Sequence, residues 1–210
     1  KFVKKCGADS ITIHLREDRR HIRDIDAKKI CSIKALATNL EISTNPKIVK
    51  IALKIKPNFI CIVPENRNEV TTEGGLNIFK NKNKITKAIL DFKKKGIRTS
   101  LFIDPKLKDI KIAKKLNTDC IELHTGKISD LVKQKKSFSN EFIKIKKCCD
   151  LAKKLSLEVH AGHGLDYKTT TILKKINEIK EFNIGHFVIG ESIFYGFKKT
   201  IQKFKKIIAK

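Results

Sequence analysis

Short, nearly unbroken apolar runs alternate along the whole chain with longer stretches whose apolar positions recur at helical spacing. The short runs fall at residues 10–15, 39–43, 59–63, 98–103, 120–123, 158–161 and 185–189. Such continuity predicts parallel strands buried on both faces. Helices are predicted near 25–37, 46–56, 84–95, 106–116, 138–155, 169–176 and 195–208. Gly7 and Gly96 each close a Lys-rich helical end just before a strand, where a C-cap belongs. Pro46, after Thr44-Asn45, suits the first turn of a helix.

Strand and helix alternating without a linker or a low-complexity break predict a single α/β domain over residues 1–210. No Gly-x-Gly-x-x-Gly turn follows any predicted strand, which counts against a doubly wound dinucleotide-binding sheet. A complete (β/α)8 TIM barrel takes about 250 residues, roughly 30 per unit. The 210 residues therefore fall about one unit short. The expectation is a TIM barrel lacking its first strand, with residues 1–6 as the tail of the helix that followed it and about 30 residues upstream.

Composition changes this picture little. A net charge of +25 invites a nucleic-acid reading, yet the excess is almost all Lys and is spread through every segment. There is no basic block, and with two Tyr and no Trp the chain offers poor stacking platforms, so no nucleic-acid partner is expected. No apolar stretch approaches the roughly 20 residues that span a bilayer, and no membrane association is expected. Arginine behaves differently: Arg16, Arg19, Arg20 and Arg23 cluster, which points to forked recognition of phosphate or carboxylate. The cysteines (6, 31, 61, 120, 148 and 149) show neither a Cys-x-x-Cys pair nor metal spacing with His. They read as small buried hydrophobes of a reducing cytoplasm, with no metal site among them.

In a barrel, functional residues sit at strand carboxyl ends or in the loops just after. His14-Leu15-Arg16-Glu17-Asp18-Arg19-Arg20-His21 closes the first run, and Val63-Pro64-Glu65 the third. Asp104, Glu122-Leu123-His124-Thr125-Gly126 and Ala161-Gly162-His163-Gly164 follow in turn, while Gly185-His186 opens the last run and Gly190 ends it. Glu41 and Glu122 lie inside apolar strands, where an unpaired ionised carboxylate costs several kcal/mol, so each must be paired or functional. Glu17 and Asp18 have a plainer reading, neutralising Arg19 and Arg20 on a surface turn. Glycines 162, 164 and 190 would let backbone N–H groups approach an oxyanion. Two other classes compete with an acid–base barrel enzyme: a basic nucleic-acid-binding module, and a different phosphate-binding barrel enzyme such as an isomerase or aldolase. An aldolase would want a Schiff-base Lys at a strand end, and no predicted strand ends in Lys.

These segments resemble one family in order and over essentially the whole chain. Residues 7–22, Asn39-Leu40-Glu41, Val63-Pro64-Glu65, Val70-Thr71-Thr72-Glu73-Gly74-Gly75, Ser100-Leu101-Phe102-Ile103-Asp104, Glu122-Leu123-His124-Thr125-Gly126, Ala161-Gly162-His163-Gly164-Leu165 and Asn183-Ile184-Gly185-His186 resemble the pyridoxine 5′-phosphate synthases. The resemblance implies a TIM barrel that condenses 3-amino-2-oxopropyl phosphate with 1-deoxy-D-xylulose 5-phosphate. The products are pyridoxine 5′-phosphate, phosphate and water, made without a metal or organic cofactor by a cytoplasmic homo-octamer. By motif it makes His14 and Glu41 proton acceptors, His163 the proton donor, and Glu122 a transition-state stabiliser. Arg16, His21 and Thr71 would bind the deoxyxylulose phosphate; Gly164, Gly185 and His186 would hold the aminoacetone phosphate. The family's first-strand Asn-x-Asp-His segment is not in this sequence, and Glu191 stands where some relatives carry a basic residue.

Overall fold

A computed structural model of the chain describes residues 1–65 and 74–209. Its strands are β1 (Ser10–His14), β2 (Ala37–Ile42), β3 (Phe59–Ile62), β4 (Arg98–Ile103), β5 (Cys120–His124), β6 (Glu158–Gly162) and β7 (Ile179–Asn183). The helices are α1 (Phe2–Lys5), α2 (Asp24–Cys31), α3 (Pro46–Ile55), α4 (Lys82–Lys93), α5 (Leu107–Lys115), α6 (Gly126–Lys133), α7 (Ser139–Lys154), α8 (Tyr167–Leu173), α9 (His186–Tyr195) and α10 (Phe197–Ile208). Every neighbouring pair of strands is parallel, in the order β1 to β7, and β1 and β7 are the two ends of the sheet. Among the described residues this is a (β/α) barrel short of one strand. Where the ends face each other, Thr12 Oγ1 donates to Asn183 Oδ1 at 3.1 Å.

The alternation of side chains along each strand divides the molecule into two layers. Outward residues Ile60, Ile62, Leu101, Ile103, Ile121, Leu123, Val159 and Ala161 pack against the helices in one large core. The other face carries Cys61, Val63 and Phe102 as a small separate apolar cluster, amid Glu41, Ser100, Glu122 and His160. Apolarity on the helix-facing side is what makes the strands legible in sequence; the interior is polar. Helix α3 shows how locally the layers are set. Pro46 occupies its first turn, the Asn45 side chain accepts from the Lys47 N–H at 2.9 Å, and Ile48, Val49 and Ala52 are buried. It stops at Lys56, held left-handed at φ 55°, immediately before Pro57.

Two elements differ from the expectation. The last strand runs over Ile179–Asn183, and the predicted strand at 185–189 belongs to α9. A short apolar run looks alike in a strand and in a helix. The true strand was masked because Glu181 and Asn183 interrupt its apolarity. Gly190 accordingly lies within α9 and does not follow a strand. Helix α6 is an addition to the expected elements, continuing directly from the strand-end segment 122–126. Among the described residues no helix is long and apolar enough to cross a membrane.

Candidate active site

Parallel strands bring their carboxyl ends to one mouth, and a cavity of about 1290 Å³ opens there and along the β1–β7 gap. His14, Glu41, Glu122, His163, Gly164, Gly185 and His186 all line it. Arg16 and His21 do not line it: Arg16 is buried just beyond β1, and His21 is exposed on the following loop. Thr71 lies outside the described residues.

His14 ends β1 beside Glu41 of β2, its register partner. Its Nδ1 is 3.7 Å from Glu41 Oε2, and its Nε2 is 3.6 Å from Glu65 Oε2. Burial, helped by the charges of Arg16 and His21, lowers the His14 pKa to about 4, so the imidazole is neutral at pH 7. Burial raises Glu41 to about 7, poised between its acid and base forms. Glu65 is also raised by burial, although one of its oxygens accepts the Glu17 N–H at 2.7 Å. Glu17 receives Arg19 Nη1 at its backbone carbonyl, at 2.7 Å, and turns its side chain elsewhere. Its carboxylate accepts from Ser43 Oγ at 2.6 Å and Asn45 Nδ2 at 2.8 Å, tying the β1 loop to the end of β2.

The arginine cluster divides. Arg19 pairs with Asp24, Arg20 with Asp18 and Arg23 with Asp26, so these three organise the loop and the start of α2. Arg16 alone is buried, its Nε 3.7 Å from Asp18 and 3.9 Å from Glu65. Asp18 thus fits the plain reading, while Glu17 departs from it.

Across the mouth stands a second group. Glu122 is buried; its Oε2 accepts from Asn183 Nδ2 at 2.9 Å and lies 3.8 Å from Cys61 Sγ. Burial and then the nearby charges of Glu41 and Glu181 push its pKa well above the ordinary carboxylate value. Only glycine at 162 permits this arrangement, since a Cβ there would stand 1.9 Å from Glu122 Oε1. His163 follows in a left-handed conformation, φ 77°, with its backbone carbonyl held by Thr125 Oγ1 at 2.7 Å. Its ring stacks obliquely on His124 with centroids 4.7 Å apart. His124 Nδ1 in turn lies 3.8 Å from Asp104, which accepts the Gly75 N–H at 2.9 Å. Burial, then His163, lowers the His124 pKa. Gly126 must be small here, because a Cβ would come within 2.8 Å of the His124 ring.

Gly185 and His186 are exposed at the amino end of α9, and Gly164 is exposed with φ 75°. Backbone N–H groups at such a place suit a phosphate. Glu191 lies near the Tyr167 hydroxyl, and its charge helps raise the Tyr167 pKa, whose main cause is burial. Glu65, Asp104, His124 and Asn183 are the polar neighbours to which the sequence assigned no role. For Glu65, Asp104 and His124 the signal was a place at the end of a strand, and for Asn183 only its place in the quoted Asn183-Ile184-Gly185-His186 segment.

The whole chain, residues 1–210, matches the family model described as "Pyridoxal phosphate biosynthesis protein PdxJ". It is 69% identical over 210 residues to the pyridoxine 5′-phosphate synthase of Pelagibacter ubique (strain HTCC1062), covering 100% of this chain and 88% of that one. The synthase of Aliarcobacter butzleri (strain RM4018) is 44% identical, covering 99% of this chain and 88% of its own length. Among solved structures, phosphoribosyl anthranilate isomerase from Thermotoga maritima superposes with a TM-score of 0.64 at 15% identity, over 99% of this chain and 91% of that chain. That likeness concerns the barrel alone. The fold, the ordered segments at the strand ends and the full-length match agree: the chain belongs to the PdxJ family of pyridoxal phosphate biosynthesis proteins.

Proposed function

We infer that the mouth of this barrel closes the pyridoxine ring by proton transfers among His14, Glu41 and His163. Synthesis of pyridoxine 5′-phosphate is the activity of the family and of this chain. Its substrates are small phosphorylated molecules, which on this reading are 3-amino-2-oxopropyl phosphate and 1-deoxy-D-xylulose 5-phosphate. The reading rests above all on one observation. A neutral His14 and a Glu41 titrating near 7 stand 3.7 Å apart in the same cavity, as serial proton removal at neutral pH requires.

Imine formation, dehydration and aromatisation each move a proton. Glu41 and His14 accept protons from the substrate carbons and nitrogen on one side. His163 delivers a proton to the departing oxygen from the other. Glu122, uncharged when protonated, donates a hydrogen bond to oxygen as negative charge builds there. Arg16, His21 and Thr71 hold the phosphate of deoxyxylulose phosphate, while Gly164, Gly185 and His186 hold that of the amino ketone. A homo-octamer belongs to the same reading. Exposed Ile189, Ile193, Phe194 and Tyr195 on α9 are a surface of the kind that association covers. Free thiols at all six cysteines support a cytoplasmic location.

The test is direct. His163→Asn, assayed for pyridoxine 5′-phosphate formed from the two substrates, should lower turnover by about 10²–10⁴-fold while the fold persists. Turnover at the unmodified rate would remove His163 from the mechanism.

A further inference from the structure

The polar interior continues to the other end of the strands, away from the chemistry. Cys120 opens β5 and Glu158 opens β6, side by side in the sheet register. His160 lies two residues further along β6 and shares the face of Glu158. The donor atoms of the three lie within 4.8 Å of one another. Cys120 Sγ is 3.9 Å from Glu158 Oε1, and His160 Nε2 is 2.9 Å from that same oxygen. Ligand atoms on a tetrahedral ion with bonds of about 2.0–2.3 Å stand about 3.3–3.6 Å apart. The two distances bracket that range, so small rotations of side chains bring all three donors onto one ion.

The surroundings are those of a ligand set. His160 presents Nε2 to the cluster, and its Nδ1 faces Glu181 Oε1 at 3.7 Å, the carboxylate–imidazole relation that orients a metal-bound histidine. Arg98 Nη2 lies 3.2 Å from Glu158 Oε2, the oxygen turned away from the cluster, and 3.2 Å from Cys120 Sγ. Its guanidinium donates to both the sulfur and the carboxylate and so holds Cys120 and Glu158 side by side at the edge of the cluster. Cys120 and His160 are buried, whereas Glu158 is 38% exposed, which gives an ion a route in from solvent and room for a water as fourth ligand.

We propose that Cys120, Glu158 and His160 bind a divalent transition-metal ion of the zinc class at the amino end of the barrel. Sulfur, imidazole and one carboxylate select such an ion over magnesium or calcium, which take all-oxygen shells. The ion ties β5 to β6, and through Glu181 it engages β7 at the end of the sheet. Binding only the folded chain, it raises stability by mass action. None of the three donors lines the catalytic cavity, and the proposal does not depend on the assignment of catalytic roles.

The experiment takes the full gene product without a histidine tag, strips it with chelator and titrates it with Co²⁺ and then Zn²⁺. A single equivalent of Co²⁺ should give the near-ultraviolet thiolate charge-transfer band and the visible bands of tetrahedral cobalt, which Zn²⁺ abolishes by displacement. Cys120→Ser should remove the charge-transfer band, His160→Gln should weaken binding at least about tenfold, and Glu181→Gln by about 10–100-fold. Cys148→Ser, at a buried thiol elsewhere, should leave the titration unchanged. Should a site variant fail to fold, alkylation of Cys120 in the unmodified protein decides: Zn²⁺ should slow it at least tenfold. Absence of stoichiometric binding, a band that survives Cys120→Ser, or alkylation indifferent to Zn²⁺ would overturn the site.

Discussion

His14 Nε2 and Glu65 Oε2 face each other at 3.6 Å inside the protein, and neither atom has a hydrogen-bond partner. Glu65 cannot drift away, because its other oxygen is held by the Glu17 N–H, and Glu17 is anchored to Ser43 and Asn45. A buried imidazole between two carboxylates is held in the electrostatic field of both. On the mechanism proposed above, Glu65 is thus a positioning residue for His14. Glu65→Gln should lower kcat by about tenfold or more with little change in KM. Removing a nearby anion makes the imidazole harder to protonate, so any acid limb of kcat/KM that belongs to His14 should move to lower pH. An unmoved profile at full rate would show that His14 does not use Glu65.

Glu41 should reveal itself in stability as well as in rate. Its carboxyl titrates near 7 in the fold against an ordinary value of 4.5, because burial disfavours the charge. Between those values the folded chain binds more protons than the unfolded one, so stability falls as pH rises through that window. The loss is on the order of 3 kcal/mol once complete. Glu41→Gln should therefore melt higher than the unmodified protein above pH 7, match it near pH 4, and turn over about 10²–10⁴-fold more slowly. A melting difference that grows toward acid would contradict this account.

Arg16→Lys keeps the charge and loses the planar fork. KM for deoxyxylulose phosphate should rise about tenfold or more, with a smaller effect on the amino ketone phosphate. Lys146 and Lys153, paired with Asp150 and Glu178 on exposed surface, supply the comparison. Alanine at either should change kinetics little and stability by at most about 1 kcal/mol. Equal losses from all three would mean that diffuse charge, not a fork, recognises the substrate.

Two glycines separate close approach from mere flexibility. Gly162→Ala drives a Cβ into the Glu122 carboxyl, which Asn183 holds in place. It should cost about 1–3 kcal/mol by overpacking and most of the activity. Gly190, inside α9, has nothing within 4 Å of its own would-be Cβ. Gly190→Ala should raise stability by about 0.5–1 kcal/mol and leave turnover intact. Thermal denaturation of the two variants side by side checks the contrast, and equal effects would refute it.

What the sequence determined by itself was the alternation of strand and helix, because helix-facing residues such as Ile60, Leu101, Ile121 and Val159 must be apolar wherever the strands pair. It also determined which residues reach the working mouth, since a parallel barrel brings every strand's carboxyl end to one side. His14, Glu41, Glu122 and His163 were legible for that reason. What only the tertiary structure decided was who faces whom across the interior. The pairing of His14 with Glu65, the line from Asp104 through His124 to His163, and the meeting of Cys120 with His160 depend on register and barrel curvature, which leave no periodic trace. The last strand was lost for a related cause. Its inward residues, Glu181 and Asn183, serve the polar interior, so they break the apolar run that marks the other strands, while the apolar start of α9 imitates one.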